Sequence, residues 1–176
     1  MTIDTGKVYR LEDYRPSDYA IRATDLAFRL DPEHTRVLST LTIERSSEAA
    51  LDALLVLDGD GLKLLSVTLD GERLEADRYD ATPDRLTIGR LPRSPFSLVI
   101  ETELAPVANS ALMGLYLSNG VYCTQCEAEG FRRITYFLDR PDVMSIYTVR
   151  IEAVKSAAPT LLSNGNPVDS GEMAEG

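Results

Sequence analysis

A chain of 176 residues with 44% apolar content is long enough to bury one core of ordinary domain size, and it holds no run of about 18 apolar residues that would span a membrane. The formal net charge of −10, from 18 Lys and Arg against 28 Asp and Glu, disfavours nucleic acid as a partner, because binding to phosphate backbones needs clustered cations. The first ten residues lack the apolar centre of a secretory signal, so the expectation is a soluble cytoplasmic protein with neither membrane nor nucleic acid among its partners.

Short segments rich in Val, Ile, Leu, Thr and Tyr recur between turn signals, and few stretches hold a 3.6-residue apolar period, so the chain reads as all-β. A first strand is expected over 19–30 and a second over 36–44, joined by turn chemistry at Asp31-Pro32-Glu33-His34, which makes them an antiparallel pair. Further strands are expected at 51–57, 62–69, 85–88 and 96–103, with Asp58-Gly59-Asp60-Gly61 and Asp70-Gly71 as turns. Asn119-Gly120 lies between Leu115-Tyr116-Leu117 and Val121-Tyr122-Cys123, the arrangement of a type I′ hairpin. A second Asn-Gly pair stands at Asn164-Gly165, and the tail 169–176 is polar and ends without a closing strand. Strands at this spacing imply an antiparallel β-sandwich or a curved open sheet, one β-domain over 1–176.

His34 is the only histidine, so a two-His zinc site cannot be completed; a residue in an acidic, proline-bearing turn is read as exposed. Cys123 and Cys126 have redox spacing, yet they follow a hairpin rather than opening a helix, which favours two small, partly buried thiols in a reducing compartment. A thiol-disulfide protein, the competing reading, requires a depressed thiol pKa. In Tyr136-Phe137-Leu138-Asp139-Arg140-Pro141-Asp142-Val143 the charges and the proline imply a salt-bridged corner in which Asp139, Arg140 and Asp142 act structurally. The loop Asp58-Gly59-Asp60-Gly61 has too few spaced oxygens for calcium and reads as a turn.

More polar groups gather in Thr124-Gln125-Cys126-Glu127-Ala128-Glu129-Gly130-Phe131-Arg132-Arg133. If this segment is extended, Gln125 and Glu127 share one face about 6–7 Å apart, and a carboxylate beside an amide suits a primary ammonium. The alternative is a solvated edge strand whose acids pair with Arg132, Arg133 or Arg140.

The string Cys123-Thr124-Gln125-Cys126-Glu127-Ala128-Glu129-Gly130-Phe131-Arg132-Arg133-Ile134-Thr135-Tyr136-Phe137-Leu138-Asp139-Arg140-Pro141-Asp142-Val143 closely resembles the N-domain signature of bacterial zinc aminopeptidases of the aminopeptidase N type. Tyr14-Arg15-Pro16-Ser17-Asp18-Tyr19, Met113-Gly114-Leu115-Tyr116 and Leu161-Leu162-Ser163-Asn164-Gly165-Asn166 extend the resemblance over essentially the whole chain; Val154, standing where the pattern has an acidic residue before Lys155, is a small departure. The resemblance implies an N-terminal fragment of a larger enzyme that removes N-terminal amino acids from peptides. It implies zinc held by an H-E-x-x-H helix and a distant glutamate of a thermolysin-like catalytic domain, so the zinc ligands, that helix and the G-A-M-E-N loop are all absent from this chain. It also implies that Gln125 lines the pocket for the first side chain, that Glu127 binds the α-ammonium, and that no catalytic residue lies in this fragment, which alone is inert. A non-enzymatic β-sandwich binding module with its ligand in surface loops is the competing class.

Overall fold

The computed structural model describes residues 10–173; the opening residues that bear on a secretory signal and the last three residues of the polar tail lie outside the described residues. Eleven strands and four single 3-10 turns make up the described secondary structure: β1 (Tyr19–Arg29), β2 (Thr35–Arg45), β3 (Leu55–Asp58), β4 (Lys63–Leu69), β5 (Glu72–Arg73), β6 (Tyr79–Thr82), β7 (Arg85–Ile88), β8 (Phe96–Leu104), β9 (Gly114–Ser118), β10 (Val121–Gln125) and β11 (Ile146–Glu152). They form a six-stranded sheet in the order β11-β1-β2-β8-β4-β5, a three-stranded sheet β3-β7-β6 and the two-stranded hairpin β9-β10. The all-β expectation is met.

Three differences from the sequence reading stand out. The expected strand at 51–57 begins only at Leu55, because Leu51 and Asp52 form a turn. The short strands β5 and β6 join the fold from segments that carry little apolar signal. The third is β11, which pairs with β1 in parallel, Ala23 opposite Ile146 and Arg29 opposite Glu152, so the large sheet is mixed rather than purely antiparallel.

Turn chemistry explains the tight connections. Asp31 Oδ1 accepts hydrogen bonds from the backbone N–H of Glu33 (2.9 Å) and His34 (2.8 Å), closing the β1–β2 turn and holding the Asp31 carboxyl below its usual range. His34 lies exposed there, 3.7 Å from Glu103. Asp70 and Gly71 (φ 49° and 84°) and Asn119 and Gly120 (φ 50° and 79°) both take the left-handed conformation that two-residue hairpins require. Asn164-Gly165 makes only a bend in an exposed stretch.

One face of the large sheet is buried; Thr24, Thr35, Ser39 and Thr102 interrupt an otherwise apolar surface that carries two clusters. The first sets Ile21, Leu41, Ile43, Leu98 and Ile100 against Leu55, Leu57, Leu86 and Ile88 of the small sheet, all fully buried. The second sets Leu26, Phe28 and Val37 against Leu115 of the hairpin and Ile134. A β-bulge lets β1 serve both. Ile21 pairs with Ile43 and Ala23 with Thr42, so Arg22 is the extra residue, and the buried positions change from Tyr19 and Ile21 to Thr24, Leu26 and Phe28. The opposite face carries cross-strand ion pairs, among them Arg36 to Glu103 (3.0 Å) and Lys63 to Glu103 (2.6 Å).

Between the sheets runs a fully buried segment, 134–138. Asp58 and Phe137 exchange backbone hydrogen bonds, N to O 2.8 Å in one direction and 3.0 Å in the other. Thr102 Oγ1 donates to the carbonyl of Ile134 (2.9 Å) and Tyr136 Oη to that of Thr82 (2.6 Å). Burial pushes the Tyr136 phenol up to about 12.

Candidate functional site

The candidate site grows out of the hairpin. Its strands pair from Val121 opposite Ser118 to Gln125 opposite Gly114, and its inner side chains Leu115 and Tyr122 rest on the second cluster. That leaves the far ends of both strands, at Gly114 and Gln125, facing the segment that follows.

β10 stops at Gln125. Glu127 therefore lies in a turn over 127–130, not on an extended strand, which corrects the expectation of a shared strand face with Gln125. The Gly130 N–H donates to the Cys126 carbonyl at 2.8 Å, the bond of a single helical turn, and the Glu127–Ala128 peptide is cis. The two candidate residues still meet: Gln125 Nε2 donates to the Glu127 carbonyl at 3.3 Å, and both side chains are exposed. The amide thus engages the backbone of Glu127 and leaves its carboxylate untouched.

Two glycines allow this packing. A Cβ on Gly130 would stand 2.6 Å from the Gln125 carbonyl oxygen and 2.8 Å from Cys126 Cα. A Cβ on Gly114, at φ 74°, would stand 2.6 Å from Arg133 Cβ. Neither role is visible in the spacing of the sequence, since both depend on segments that meet only in the fold.

The charges around the turn decide between the two readings of its acids. Arg132 Nε and its backbone N–H both reach Asp139 Oδ2, at 2.9 Å and 3.2 Å. Arg133 pairs with Asp60 at 2.7 Å. Arg140 forks onto Asp142, Nε to Oδ1 at 2.9 Å and NH2 to Oδ2 at 2.7 Å, which holds the Asp142 carboxyl below its usual range. Glu129 reaches Arg132 at 3.6 Å, as the solvated-edge reading expects. Glu127 has no ion pair among the described residues, so its carboxylate stands in the open with its acceptor capacity unused. An exposed carboxylate of this kind can take a cation, and an ammonium with three N–H donors is the chemically matched one.

The remaining expectations sort cleanly. Asp139, Arg140 and Asp142 do form a corner, and it is tied to the opening motif: Tyr14 Oη donates to Asp142 Oδ2 (2.9 Å) and Arg140 to the Arg15 carbonyl (2.8 Å). Cys123 and Cys126 are free, and burial pushes the Cys126 thiol up, with Asp139 adding to the effect, which is the reverse of what a redox dithiol requires. The Asp58-Gly59-Asp60-Gly61 loop is consumed by the fold: Gly59 abuts the Tyr136 ring and Asp60 holds Arg133. Among the described residues no group of three or more His, Cys, Asp or Glu could hold a metal ion, and no helix is long and apolar enough to cross a membrane.

Fold and site together define an all-β module that presents, in the turn after a hairpin, a carboxylate with no ion pair among the described residues. Residues 15–176 match the Peptidase M1 N-terminal domain, and the chain belongs to that family. Over its full length it is 51% identical to the aminopeptidase N of Caulobacter vibrioides and 47% identical to that of Escherichia coli, and it spans 20% of the length of each. Among solved structures, the aminopeptidase A of Legionella pneumophila in complex with aspartic acid superposes with a TM-score of 0.87 at 32% identity, over 94% of this chain and 20% of that one. The M1 zinc metallopeptidase of Deinococcus radiodurans shares the fold at 20% identity and a TM-score of 0.64, over 78% of this chain and 33% of that one.

Proposed function

We propose that this chain is the substrate-anchoring N-terminal β-domain of a zinc-dependent aminopeptidase that removes N-terminal amino acids from peptides, with Glu127 binding the α-ammonium and Gln125 lining the pocket for the first side chain. The observation that carries the reading is the state of Glu127: Arg132, Arg133 and Arg140 are each committed to another acid, while this carboxylate is exposed and has no ion pair among the described residues. The aminopeptidase relatives, of which the chain spans a fifth, supply the class of reaction.

An exopeptidase must select a free amine over an internal amide, and a carboxylate set at a fixed distance from the scissile bond does this by ionic pairing. Glu127 acts as that marker and not as a general base. Its removal weakens binding in ground and transition states alike, which raises KM more than it lowers kcat. The hydrolytic metal would be held by the rest of the polypeptide, the chain's covalent partner, because His34 stands alone in its turn and the acids near Glu127 are spent on arginines. The two unpaired thiols suit a reducing, cytoplasmic setting.

The test is Glu127→Ala in the full-length enzyme, assayed on short peptides with free and acetylated N-termini. A lost charge-assisted bond of about 1.5–3 kcal/mol corresponds to a KM increase of roughly 10- to 150-fold, with the preference for the free amine reduced. An unchanged KM would remove Glu127 from the site. The intact mass of the native protein, captured from its source by antibody, tests the fragment reading: several times the mass of this chain supports it, and a mass equal to this chain's overturns it.

A further inference from the structure

Among the described residues the Glu127 side chain makes no bond that would aim it, so the direction of its carboxylate is set by the turn that carries it. That turn is fixed at its start, where Gln125 Nε2 holds the Glu127 carbonyl, and at its end, where Gly130 N–H reaches Cys126. Gly130 leads directly into the 3-10 turn Phe131–Arg133. Beside that turn's own backbone bonds, Asp139 is the side chain that clasps Arg132: one carboxylate oxygen accepts from both the backbone N–H and the Nε of Arg132, and the Asp139 carbonyl accepts from Arg132 NH2 at 2.8 Å. The pair is well covered, with side-chain exposures of 21% and 13%, against 31% and 42% for the neighbouring Arg133 to Asp60 pair. It is also anchored to the core, since the Arg132 carbonyl accepts from Asp60 N–H at 3.0 Å and Phe137, two residues before Asp139, is bonded to Asp58.

Arg132 also reaches across the turn to Glu129. Glu127 and Glu129 lie two residues apart in one turn, and two free carboxylates there would offer an incoming ammonium two competing positions.

Resting on the assignment of Glu127 as the ammonium anchor, we propose that Arg132 and Asp139 are positioning residues: Asp139 locks Arg132, and Arg132 fixes the turn and draws Glu129 aside, so that a single carboxylate is presented to the substrate. Neither residue touches substrate. Both act through Glu127, and that dependence makes the role measurable.

The experiment uses the full-length enzyme. Asp139→Asn keeps the shape and removes the charge; Arg132→Lys keeps the charge, removes the fork, and is the milder lesion should Asp139→Asn fail to fold. Each is made alone and with Glu127→Ala, and KM, kcat and melting temperature are measured with a free-amine dipeptide substrate. Alone, each variant is expected to raise KM about fivefold or more while kcat changes by less than about twofold. With Glu127 already removed, the same substitution should change KM by less than about twofold, although the melting temperature falls in both backgrounds.

Equal KM penalties with and without Glu127, or a lowered melting temperature with KM unmoved, would overturn the positioning role and leave Arg132 and Asp139 as structural residues only. A Glu127→Ala enzyme with unchanged KM would instead overturn the anchor assignment, and the positioning role with it. The two failures are therefore told apart by the Glu127→Ala single variant.

Discussion

The two apolar clusters on the large sheet stabilise very different loads. Under the small sheet, side chains from two opposed sheets interlock and every central position is fully buried. Under the hairpin, a smaller cluster supports a structure whose outer half is polar, and the 127–130 turn above it is fixed by glycine contacts, backbone hydrogen bonds and one covered ion pair. A rigid block can thus leave one carboxylate without a structural partner: the block takes its stability from burial, while the turn takes its shape from bonds that engage the Glu127 carbonyl but not its carboxylate.

The largest effect should come from the block itself. Leu57→Ala empties a fully buried site in β3 and is expected to cost about 2–5 kcal/mol, seen as a lower urea midpoint with the slope of the transition retained. A cost under about 1 kcal/mol would mean that the two sheets are not packed as tightly as their burial indicates. Gly130→Ala comes next. Its methyl group would enter backbone at 2.6 Å, so a loss of about 1–3 kcal/mol is expected together with a raised KM in the full-length enzyme; a stable variant with unaltered KM would show that the turn can move without consequence.

Tyr136→Phe removes one hydrogen bond from the buried segment and should cost about 1 kcal/mol at neutral pH. It also carries a pH signature. Because the phenol is raised in the fold to about 12 from an ordinary 10.0, the unfolded chain loses this proton first. The contribution is therefore full below pH 10 and declines as the pH climbs toward 12, a decline that urea titrations of the Phe variant should lack. The smallest effect belongs to Glu127→Gln. An exposed residue without an ion pair should alter unfolding by no more than about 0.5 kcal/mol, and a larger destabilisation would assign Glu127 a structural role that the geometry does not show.

Much of this architecture was legible in the residues. Segments rich in Val, Ile, Leu, Thr and Tyr between turn signals located β1, β2, β7 and β8, and Asn119-Gly120 announced its hairpin, because local pairings leave local marks. β11 went unassigned although Ile146, Tyr147 and Val149 favour a strand: it has no hairpin partner nearby, pairs with β1 from the far end of the chain, and is exposed along most of its length. The turn at Glu127 was hidden for a similar reason. Nothing in Gln125-Cys126-Glu127 ends a strand by propensity; the strand ends because Gly130 folds back on Cys126 and Arg132 is held by Asp139. Recognition of Glu127 came from resemblance, and its lack of an ionic partner could be read only from the arrangement of four arginine pairings in space.

The extra residue at Arg22 bears on this arrangement from a distance. It works as a half-step in a gear, since on one side of it odd-numbered positions point inward and on the other side even-numbered ones do. Excising that single residue would join Ile21 to Ala23, whose partners Ile43 and Thr42 are already neighbours, and Tyr19, Ile21, Thr24, Leu26 and Phe28 would then share one face in plain two-residue alternation. The bulge thus absorbs one surplus residue without disturbing the platform on which the hairpin rests, whereas loss of one more residue from the strand beyond it would send Leu26 and Phe28 to solvent.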